Sequence, residues 1–340
     1  MLSPRDVGSD LDLDVENNLR DRAIAVWRDW LVAVHRPRRI AIVKERNEIR
    51  KRMSRANVNI AAGMFHSLAL RQDGRIACWG LNGNGQAPPA GVDDDFVAIA
   101  AGGGHSLALR VDGSIACWGL NGSGQAPPDG VPGNFVAIAA GDAHSLALRV
   151  DGSIACWGSN DNGQAPPAGV PGNFVAISAG AEHSLALRVD GSIACWGDNG
   201  DGQAPPAGVP GNFVAIAAGD AHSLALRREG GIACWGRNDY GEAPPDGVEG
   251  DFVAIATGGA HSLALRRNGS VACWGSNDEG QAPPDGVVGD FIAIAAGGLH
   301  SLALRRDGRI ACWGDNGYGE APADVAELNA TPFMTEIVIL

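Results

Sequence analysis

One stretch of the chain reads Phe135-Val-Ala-Ile-Ala-Ala-Gly-Asp-Ala-His144-Ser-Leu-Ala-Leu-Arg-Val-Asp-Gly-Ser-Ile-Ala-Cys-Trp157-Gly-Ser-Asn-Asp-Asn-Gly-Gln-Ala-Pro-Pro167, and close copies of it recur every 39 residues. Self-similarity at one fixed period of this length is the signature of a repeat architecture. Seven units of 39 residues, counted from Asn57, cover residues 57–329. We therefore predict three segments: a partly basic N-terminal extension over 1–56, a seven-repeat domain over 57–329 and a C-terminal segment over 330–340.

The apolar segments inside each unit are short and end at turn residues. They run for five to seven residues and stop at Gly, Asp-Gly or Pro-Pro, which is typical of strands and not of helices. The pair Asp151-Gly152 predicts a tight hairpin with a type I′ turn. Pro166-Pro167 has no N–H to donate, so this segment is predicted at an outer edge or between sheets. Each unit is thus a small antiparallel sheet of three strands, with room for a fourth, irregular edge.

The strand that begins at His144 has one bulky face and one small face. Leucines alternate with Ser and Ala along it, and small faces let neighbouring sheets approach closely. One such sheet cannot bury both faces, whereas seven arranged radially can. A β-solenoid would meet the same need, but antiparallel hairpins and this repeat length favour a propeller. The predicted fold is all-β: a seven-bladed β-propeller of 39-residue repeats, with an N-terminal α-helical extension over 1–56.

The composition excludes several classes of protein. The chain has 340 residues, 49 of them Gly, with 45% hydrophobic and 19% charged residues, which fits neither collagen nor a disordered chain. No apolar run is long enough to span a membrane, and the acidic N-terminus does not resemble a secretory signal. We therefore expect a soluble protein of the cytoplasm, with the nucleus as the alternative compartment.

The seven cysteines follow the repeat period. They have no paired Cys-x-x-Cys spacing, and equivalent positions in successive repeats point the same way, so neither a disulfide framework nor a metal cluster is expected. One small buried thiol per repeat is the simplest interpretation. No metal and no cofactor is predicted.

Histidine and tryptophan also occur once in each repeat. A chemical site is normally one constellation, so a residue found in every repeat with the same neighbours is predicted to be structural, the histidines capping backbone groups near a turn and the tryptophans packing. We expect no catalytic residues and no enzyme activity. These structural positions are His66, His105, His144, His183, His222, His261, His300, Trp79, Trp118, Trp157, Trp196, Trp235, Trp274 and Trp313.

The motif Ile-Ala-Ala-Gly-x-x-His-Ser-Leu-Ala-Leu, followed by Trp-Gly-x-Asn-x-x-Gly-Gln, resembles the repeat of the regulator of chromosome condensation family. Only Ser178 and Thr257 depart from the first half, and the resemblance extends over all seven units. It implies a seven-bladed propeller. The founding member of the family is a nucleotide exchange factor for a small GTPase, whereas short-repeat members, such as a propeller-fold β-lactamase inhibitory protein, bind a target with one face. The matching positions build the blade, so the resemblance transfers no catalytic residue.

Function is expected where the repeats differ. Two windows vary: the pair before each repeated His, and the positions around the Asn that follows Trp-Gly. We predict a non-enzymatic propeller that binds a folded protein partner of unknown identity, with exchange on a small GTPase as the alternative and drift at exposed turns as the competing explanation. The candidate contact residues are Met64, Phe65, Leu81, Leu120, Arg237, Asp239, Tyr240, Leu299 and Tyr318.

The two ends differ from the repeats. Residues 1–56 carry a net charge of +4 and the remainder −17, so the acidic propeller is not expected to bind nucleic acid directly. Two helices are predicted, over 15–35 and 38–55, and the second is basic. It is compatible with a membrane surface, a nucleic acid, a calmodulin-like partner, its own propeller or plain solvation. Phe333–Leu340 is predicted to be a strand that pairs with the first blade and closes the ring.

Overall fold

A computed structural model of the protein describes residues 60–71 and 73–323. The strands in this range form seven separate three-stranded sheets, each built from three consecutive strands, and we number these sheets as blades one to seven. The predicted N-terminal helices and the C-terminal strand lie outside the described residues. The strands are β1 (Ile60–Ala62), β2 (His66–Leu70) and β3 (Ile76–Gly80) in blade one; β4 (Phe96–Ala101), β5 (His105–Arg110) and β6 (Ile115–Gly119) in blade two; β7 (Phe135–Ala140), β8 (His144–Arg149) and β9 (Ile154–Gly158) in blade three; β10 (Phe174–Ala179), β11 (His183–Arg188) and β12 (Ile193–Gly197) in blade four; β13 (Phe213–Ala218), β14 (His222–Arg227) and β15 (Ile232–Gly236) in blade five; β16 (Phe252–Thr257), β17 (His261–Arg266) and β18 (Val271–Gly275) in blade six; and β19 (Phe291–Ala296), β20 (His300–Arg305) and β21 (Ile310–Gly314) in blade seven.

The hairpin between the second and third strands has a three-residue loop. In blade three, the Arg149 N–H donates to the Ser153 carbonyl at 2.8 Å, and the Gly152 N–H donates to the Arg149 carbonyl at 3.0 Å. Gly152 has a φ of 85°, as expected for a type I turn closed by a left-handed bulge residue. The predicted two-residue type I′ turn is therefore wrong, because the strand register leaves Val150 inside the loop as well as Asp151 and Gly152.

The Pro-Pro segment forms the predicted irregular edge. The Pro166 carbonyl accepts the Gly169 N–H at 2.8 Å, and the chain then returns to the sheet. Val170 pairs with Ile154 in an isolated antiparallel bridge, with both N–H···O distances at 2.9 Å. Blades one to six each have such a bridge beside the third strand. In place of a fourth strand, each of these blades thus has a single bridging residue beside its third strand.

The hydrophobic core lies between neighbouring blades. Leu146 and Leu148 of blade three are fully or almost fully buried, and they pack in one cluster with Ala186 of blade four. Phe174 contributes to the same cluster from the start of blade four. The leucine face of one blade therefore meets the alanine face of the next, as the alternation in the sequence predicts. Burial of this apolar surface is the main driving force that holds blades side by side.

The ring is closed by contacts between blades seven and one. Ile60 and Ala69 share a buried cluster with Leu302 and Leu304, which repeats the arrangement of the other junctions. Close to the ring axis, backbone hydrogen bonds of 3.1–3.4 Å join each blade to the next. They run from Met64 N to Gly102 O, Gly103 N to Gly141 O, Asp142 N to Ala181 O, Ala181 N to Gly219 O, Asp220 N to Gly259 O, Gly259 N to Gly297 O and Gly298 N to Gly63 O.

These axial contacts require glycine at the end of the first strand. A Cβ atom at Gly102 would overlap both the Gly141 carbonyl oxygen of the next blade and the His105 ring. The glycines thus allow neighbouring blades to approach each other closely near the axis. The seven sheets together form the predicted seven-bladed propeller. Among the described residues, no helix has the length and apolar character needed to cross a membrane.

Candidate functional site

The two variable windows of the repeat lie side by side on one face of the propeller. This variable face consists of the turns between first and second strands and the loops that leave the third strands. In blade one the Leu81 N–H donates to the Phe65 carbonyl at 2.8 Å, and in blade two the Leu120 N–H makes the equivalent bond to Gly104. The hairpin loops, such as the one containing Val150, lie at the other end of the sheets, on the face that we call the hairpin face.

The repeated histidines join each blade to the next. His144 Nε2 lies 2.9 Å from the hydroxyl oxygen of Ser184 in blade four, and His300 Nε2 lies 2.8 Å from that of Ser67 in blade one. The sequence predicts a backbone group as the partner, whereas the structure places a serine hydroxyl there. The remaining His–Ser pairs are His66–Ser106, His105–Ser145, His183–Ser223, His222–Ser262 and His261–Ser301.

The serine fixes the tautomer of each histidine. The Ser184 hydroxyl donates its single proton to the Gln164 carbonyl at 3.0 Å, so His144 Nε2 must carry the proton that Ser184 accepts. The other ring nitrogen, Nδ1, then carries no proton and receives no hydrogen bond from the described residues. Burial lowers the pKa of His144 to about 4 and, with the nearby His105 and His300, lowers that of His66 to about 3. The histidines are therefore neutral at physiological pH.

The tail of each repeat is bound by the following blade. The Gln164 carbonyl also accepts the Trp196 Nε1–H of blade four at 2.9 Å. At the ring closure the Glu320 carbonyl has the same role, accepting the Ser67 hydroxyl at 3.0 Å and Trp79 Nε1–H at 2.8 Å. The other tryptophans donate to carbonyls in the same way, with Trp118 on Gln86, Trp157 on Gln125, Trp235 on Gln203, Trp274 on Glu242 and Trp313 on Gln281.

Four candidate contact residues meet at the junction of blades seven and one. The Phe65 and Tyr318 rings are in edge-to-face contact with centroids 5.4 Å apart. Met64 is half-buried next to Phe65, and Leu299 and Tyr318 are 37% and 56% exposed. The structure thus brings together side chains from both variable windows and from both ends of the repeat array.

The other candidates lie elsewhere on the variable face. In blade five, Arg237 contacts Asp201 of blade four at 2.8 Å and Asp239 at 3.8 Å, and Tyr240 is 60% exposed. Leu120 is exposed in blade two, and Leu81 is half-buried in blade one. Four of the nine candidates therefore form an apolar group at the junction of blades seven and one, and three lie around blade five. The other two are Leu81 in blade one and Leu120 in blade two.

Two acidic residues at the axis are absent from the predicted contact set. A cavity of about 90 Å³ opens at the axis between the glycine-rich turns, and Asp142 and Asp220 lie in its lining. The Asp220 side chain is partly in contact with solvent. Desolvation at the opening of the cavity, together with the nearby Asp142, raises its pKa to about 6. Both residues belong to the first variable window. An Asp where most repeats have Gly or Ala is the feature of the sequence from which this acidic pair could have been predicted.

Metal and thiol chemistry have little support in the described part of the chain. Residues 60–71 and 73–323 contain no cluster of three or more His, Cys, Asp or Glu side chains suited to hold a metal ion. The seven cysteines are free thiols, buried or half-buried, and burial raises the pKa of each to about 12. A thiol with such a pKa is a poor nucleophile at neutral pH.

Comparison with known sequences gives one clear match. The profile described as "Regulator of chromosome condensation (RCC1) repeat" matches seven segments, residues 58–86, 96–125, 135–164, 174–203, 213–242, 252–281 and 291–320. No relative was found among the curated proteins.

Comparison with solved structures identifies similar folds. Prp20p from Saccharomyces cerevisiae, studied for its binding to Gsp1p and histones, is 23% identical with a TM-score of 0.59, over 72% of this chain and 81% of that one. The CRINKLY WD40 ectodomain of the Arabidopsis thaliana receptor kinase ACR4 is 24% identical with a TM-score of 0.63, over 78% and 98%. Human WBSCR16 is 20% identical with a TM-score of 0.60, over 72% and 86%. At these identities the likeness concerns the fold alone.

Proposed function

The chain belongs to the regulator of chromosome condensation repeat family, and from this membership we propose that it is a non-enzymatic propeller that binds a folded protein on its variable face. The observation that carries the proposal is the position of the two tyrosines. Both tyrosines of the chain are on this face, 60% and 56% exposed, in blades whose framework positions are otherwise nearly identical. Tyrosine is enriched among the residues that dominate binding energy at protein interfaces.

The framework suits a rigid binding surface. Each blade is held to the next by a His–Ser bond, a Trp–carbonyl bond and an apolar cluster, as at Ser184 and Trp196. A surface mounted on such a scaffold loses little conformational freedom on binding, which favours affinity. The two residue types most suited to catalysis in the repeat, His and Ser, are engaged with each other and with backbone carbonyls, which supports a binding role over an enzymatic one.

The proposal is tested by affinity capture from a native extract with the full chain as bait. We compare wild type with the Tyr240→Ala/Tyr318→Ala double variant and with a matched Val189→Ala/Val288→Ala variant. Val189 and Val288 are 73% and 88% exposed and lie on the hairpin face. We expect the captured partner to be lost from the tyrosine variant and kept by the valine variant, with quantitative mass spectrometry as the readout.

The reverse pattern, with loss only from the valine variant, would move the binding surface to the hairpin face and reject our assignment. The exchange-factor alternative has its own signature in the same experiment. An exchange factor holds its GTPase most tightly without nucleotide, so a captured small GTPase released by added GTP would replace the simple binding role with exchange.

A further inference from the structure

Blade seven contains a pair of acidic side chains where blades three, four and six have a hydrogen-bond donor and an acceptor. In blade four the Gln203 side-chain Nε2 donates to Asp198 Oδ2 at 2.8 Å, five residues earlier in the loop. In blade six Gln281 Nε2 donates to the Ser276 hydroxyl at 3.2 Å. The equivalent residues of blade seven are Glu320 and Asp315. Two carboxylates therefore face each other where blades three, four and six form a hydrogen bond.

Glu320 is held firmly in this place. Its Oε2 accepts the Tyr318 N–H at 2.8 Å, and its backbone carbonyl binds Ser67 and Trp79 across the ring closure. The residue is only 1% exposed, and its Oε1 receives no hydrogen bond from a donor in the described part of the chain, with the Asp315 carboxyl as its side-chain neighbour. A buried carboxylate oxygen without a donor is costly, so this position calls for a proton or a cation.

Asp315 is the accessible member of the pair. It is half-buried, and its Oδ1 accepts the Gly317 N–H at 3.0 Å. Its own N–H donates to the Leu299 carbonyl at 2.9 Å, which places it beside the apolar group at the junction of blades seven and one. Burial raises the pKa of Glu320 above its usual range, and the neighbouring Asp315 raises it further. Among the residues that the structure describes, neither carboxylate forms an ion pair.

An aromatic platform stands next to the acidic pair. Tyr318 is two residues from Glu320 and is in edge-to-face contact with Phe65. Exposed aromatic rings attract a guanidinium by cation–π contact, and apolar side chains such as Leu299 pack against the methylene stem of a basic residue. Blade five has the same change from Gln to Glu, at Glu242, but the residue at the position of Asp315 is the basic Arg237. Among the described junctions, only that of blades seven and one combines two acids with two aromatic rings in contact.

We propose that the junction of blades seven and one binds an arginine side chain presented by the protein partner, with Asp315 as the direct ligand, Glu320 as the second negative charge behind it, and Phe65 and Tyr318 as the platform. The proposal deepens the proposed function, since it names the chemistry that the variable face recognises. Arginine is favoured over lysine because its planar guanidinium pairs with carboxylates and stacks on aromatic rings.

The test uses Nα-acetyl-arginine amide as the probe and its neutral isostere Nα-acetyl-citrulline amide as the control. The full chain is labelled with nitrogen-15, and the amide signals of Gly317 and Tyr318 are followed, because these N–H groups donate to the two carboxylates. We expect saturable shifts at millimolar arginine probe and none with the citrulline probe. Glu320→Gln introduces the residue found in five of the other six repeats, so it should fold normally and weaken probe binding about fivefold.

Glu242→Gln is the matched control and should leave probe binding unchanged. Equal shifts with both probes, no shift with either, or undiminished binding by Glu320→Gln would overturn the proposal. No shift with either probe is what a carboxyl pair that merely shares a proton would give. The probe experiment needs no partner, so the two proposals fail separately. Arginine binding without loss of the partner in the tyrosine variant would reject the assignment of partner binding to the variable face alone, and the converse would reject the arginine site alone.

Discussion

A single hydroxyl group does two tasks at each blade junction. Ser184 accepts the N–H of His144 and donates to the Gln164 carbonyl, so it links blade three to blade four twice. Both bonds are buried, where an unmatched polar group costs more than the bond itself contributes. Ser-His adjacency in the sequence does not show this, because the bonded His and Ser are 40 residues apart in successive repeats.

Ser184→Ala is predicted to destabilise the protein by about 1–3 kcal/mol, since it leaves the His144 N–H buried without an acceptor. Ser153→Ala is the matched control. Its hydroxyl donates to Asp151 at 2.6 Å on the exposed hairpin, and its loss should cost no more than about 0.5 kcal/mol. Urea unfolding measures both free energies. A similar loss for the two variants would contradict the importance of the inter-blade bond.

At the scale of elements, the loop after the third strand is a turn closed by side-chain hydrogen bonds within the loop itself. In blade three, Asn160 Oδ1 accepts the Ala165 N–H and Gln164 Oε1 accepts the Asn162 N–H, each at 2.9 Å. Gly163 completes the turn with a φ of 82°, and no atom lies within 4 Å of the place where its Cβ would be. The tip of the loop at Gly163 therefore depends on backbone conformation and not on packing, whereas Gln164 and Ala165 are buried against the next blade.

Gly163→Ala is predicted to cost about 1–2 kcal/mol, because the left-handed conformation alone opposes a Cβ atom there. Gly163→Asn should cost less, since asparagine adopts this conformation more readily. Gly122→Ala, at a position with open space and no positive φ, should be nearly neutral. Thermal unfolding of the three variants gives the comparison. Equal losses for Ala and Asn at residue 163 would show that contacts, not φ, decide the cost.

Most of the blade and the apolar packing between blades could be predicted from the sequence, but not the polar contacts at the junctions. The short apolar segments and the fixed period indicate three strands and a ring of seven, because burial permits few other arrangements. The hairpin loop was mispredicted, since Asp151-Gly152 fits two loop lengths and only the strand register includes Val150. Asp142 and Glu320 clearly differ from the residues at the same positions of most other repeats. Their neighbours come from other blades, however, and the sequence pattern does not show which of the differing residues lie close together.

At the scale of the whole molecule, seven buried histidines make stability depend on pH. Burial is the largest cause of a pKa lowered from 6.5 to about 3 for His66, His222 and His261 and to about 4 for the other four. The unfolded chain binds protons below pH 6.5, whereas the folded chain binds them only near pH 3–4. Lower pH therefore favours the unfolded state across this window.

We predict that the free energy of unfolding decreases as the pH falls from 6.5 towards 4, by up to about 1.4 kcal/mol per pH unit for each histidine. The raised pKa values of Asp220, which is about 6, and of Asp142 and Glu320 act in the opposite direction, because the folded chain binds these protons at higher pH than the unfolded chain. Carboxylates whose pKa is lowered, such as Asp112, act only at more acidic pH. Urea unfolding at several pH values measures the slope. A flat profile between pH 6.5 and 5 would mean that the histidines titrate normally in the folded protein.

The closure of the ring gives one junction a mechanical role. Among the described residues, the backbone crosses six junctions between blades, whereas blades seven and one are joined by noncovalent contacts such as Glu320 to Trp79 and Gly298 to Gly63. Tension applied to the ring would open it there first, because the other junctions also carry the peptide chain. Phe65 and Tyr318 meet across this same seam. A partner that contacts both rings would hold this junction closed. Binding of the partner to the variable face would then increase the force needed to open the propeller.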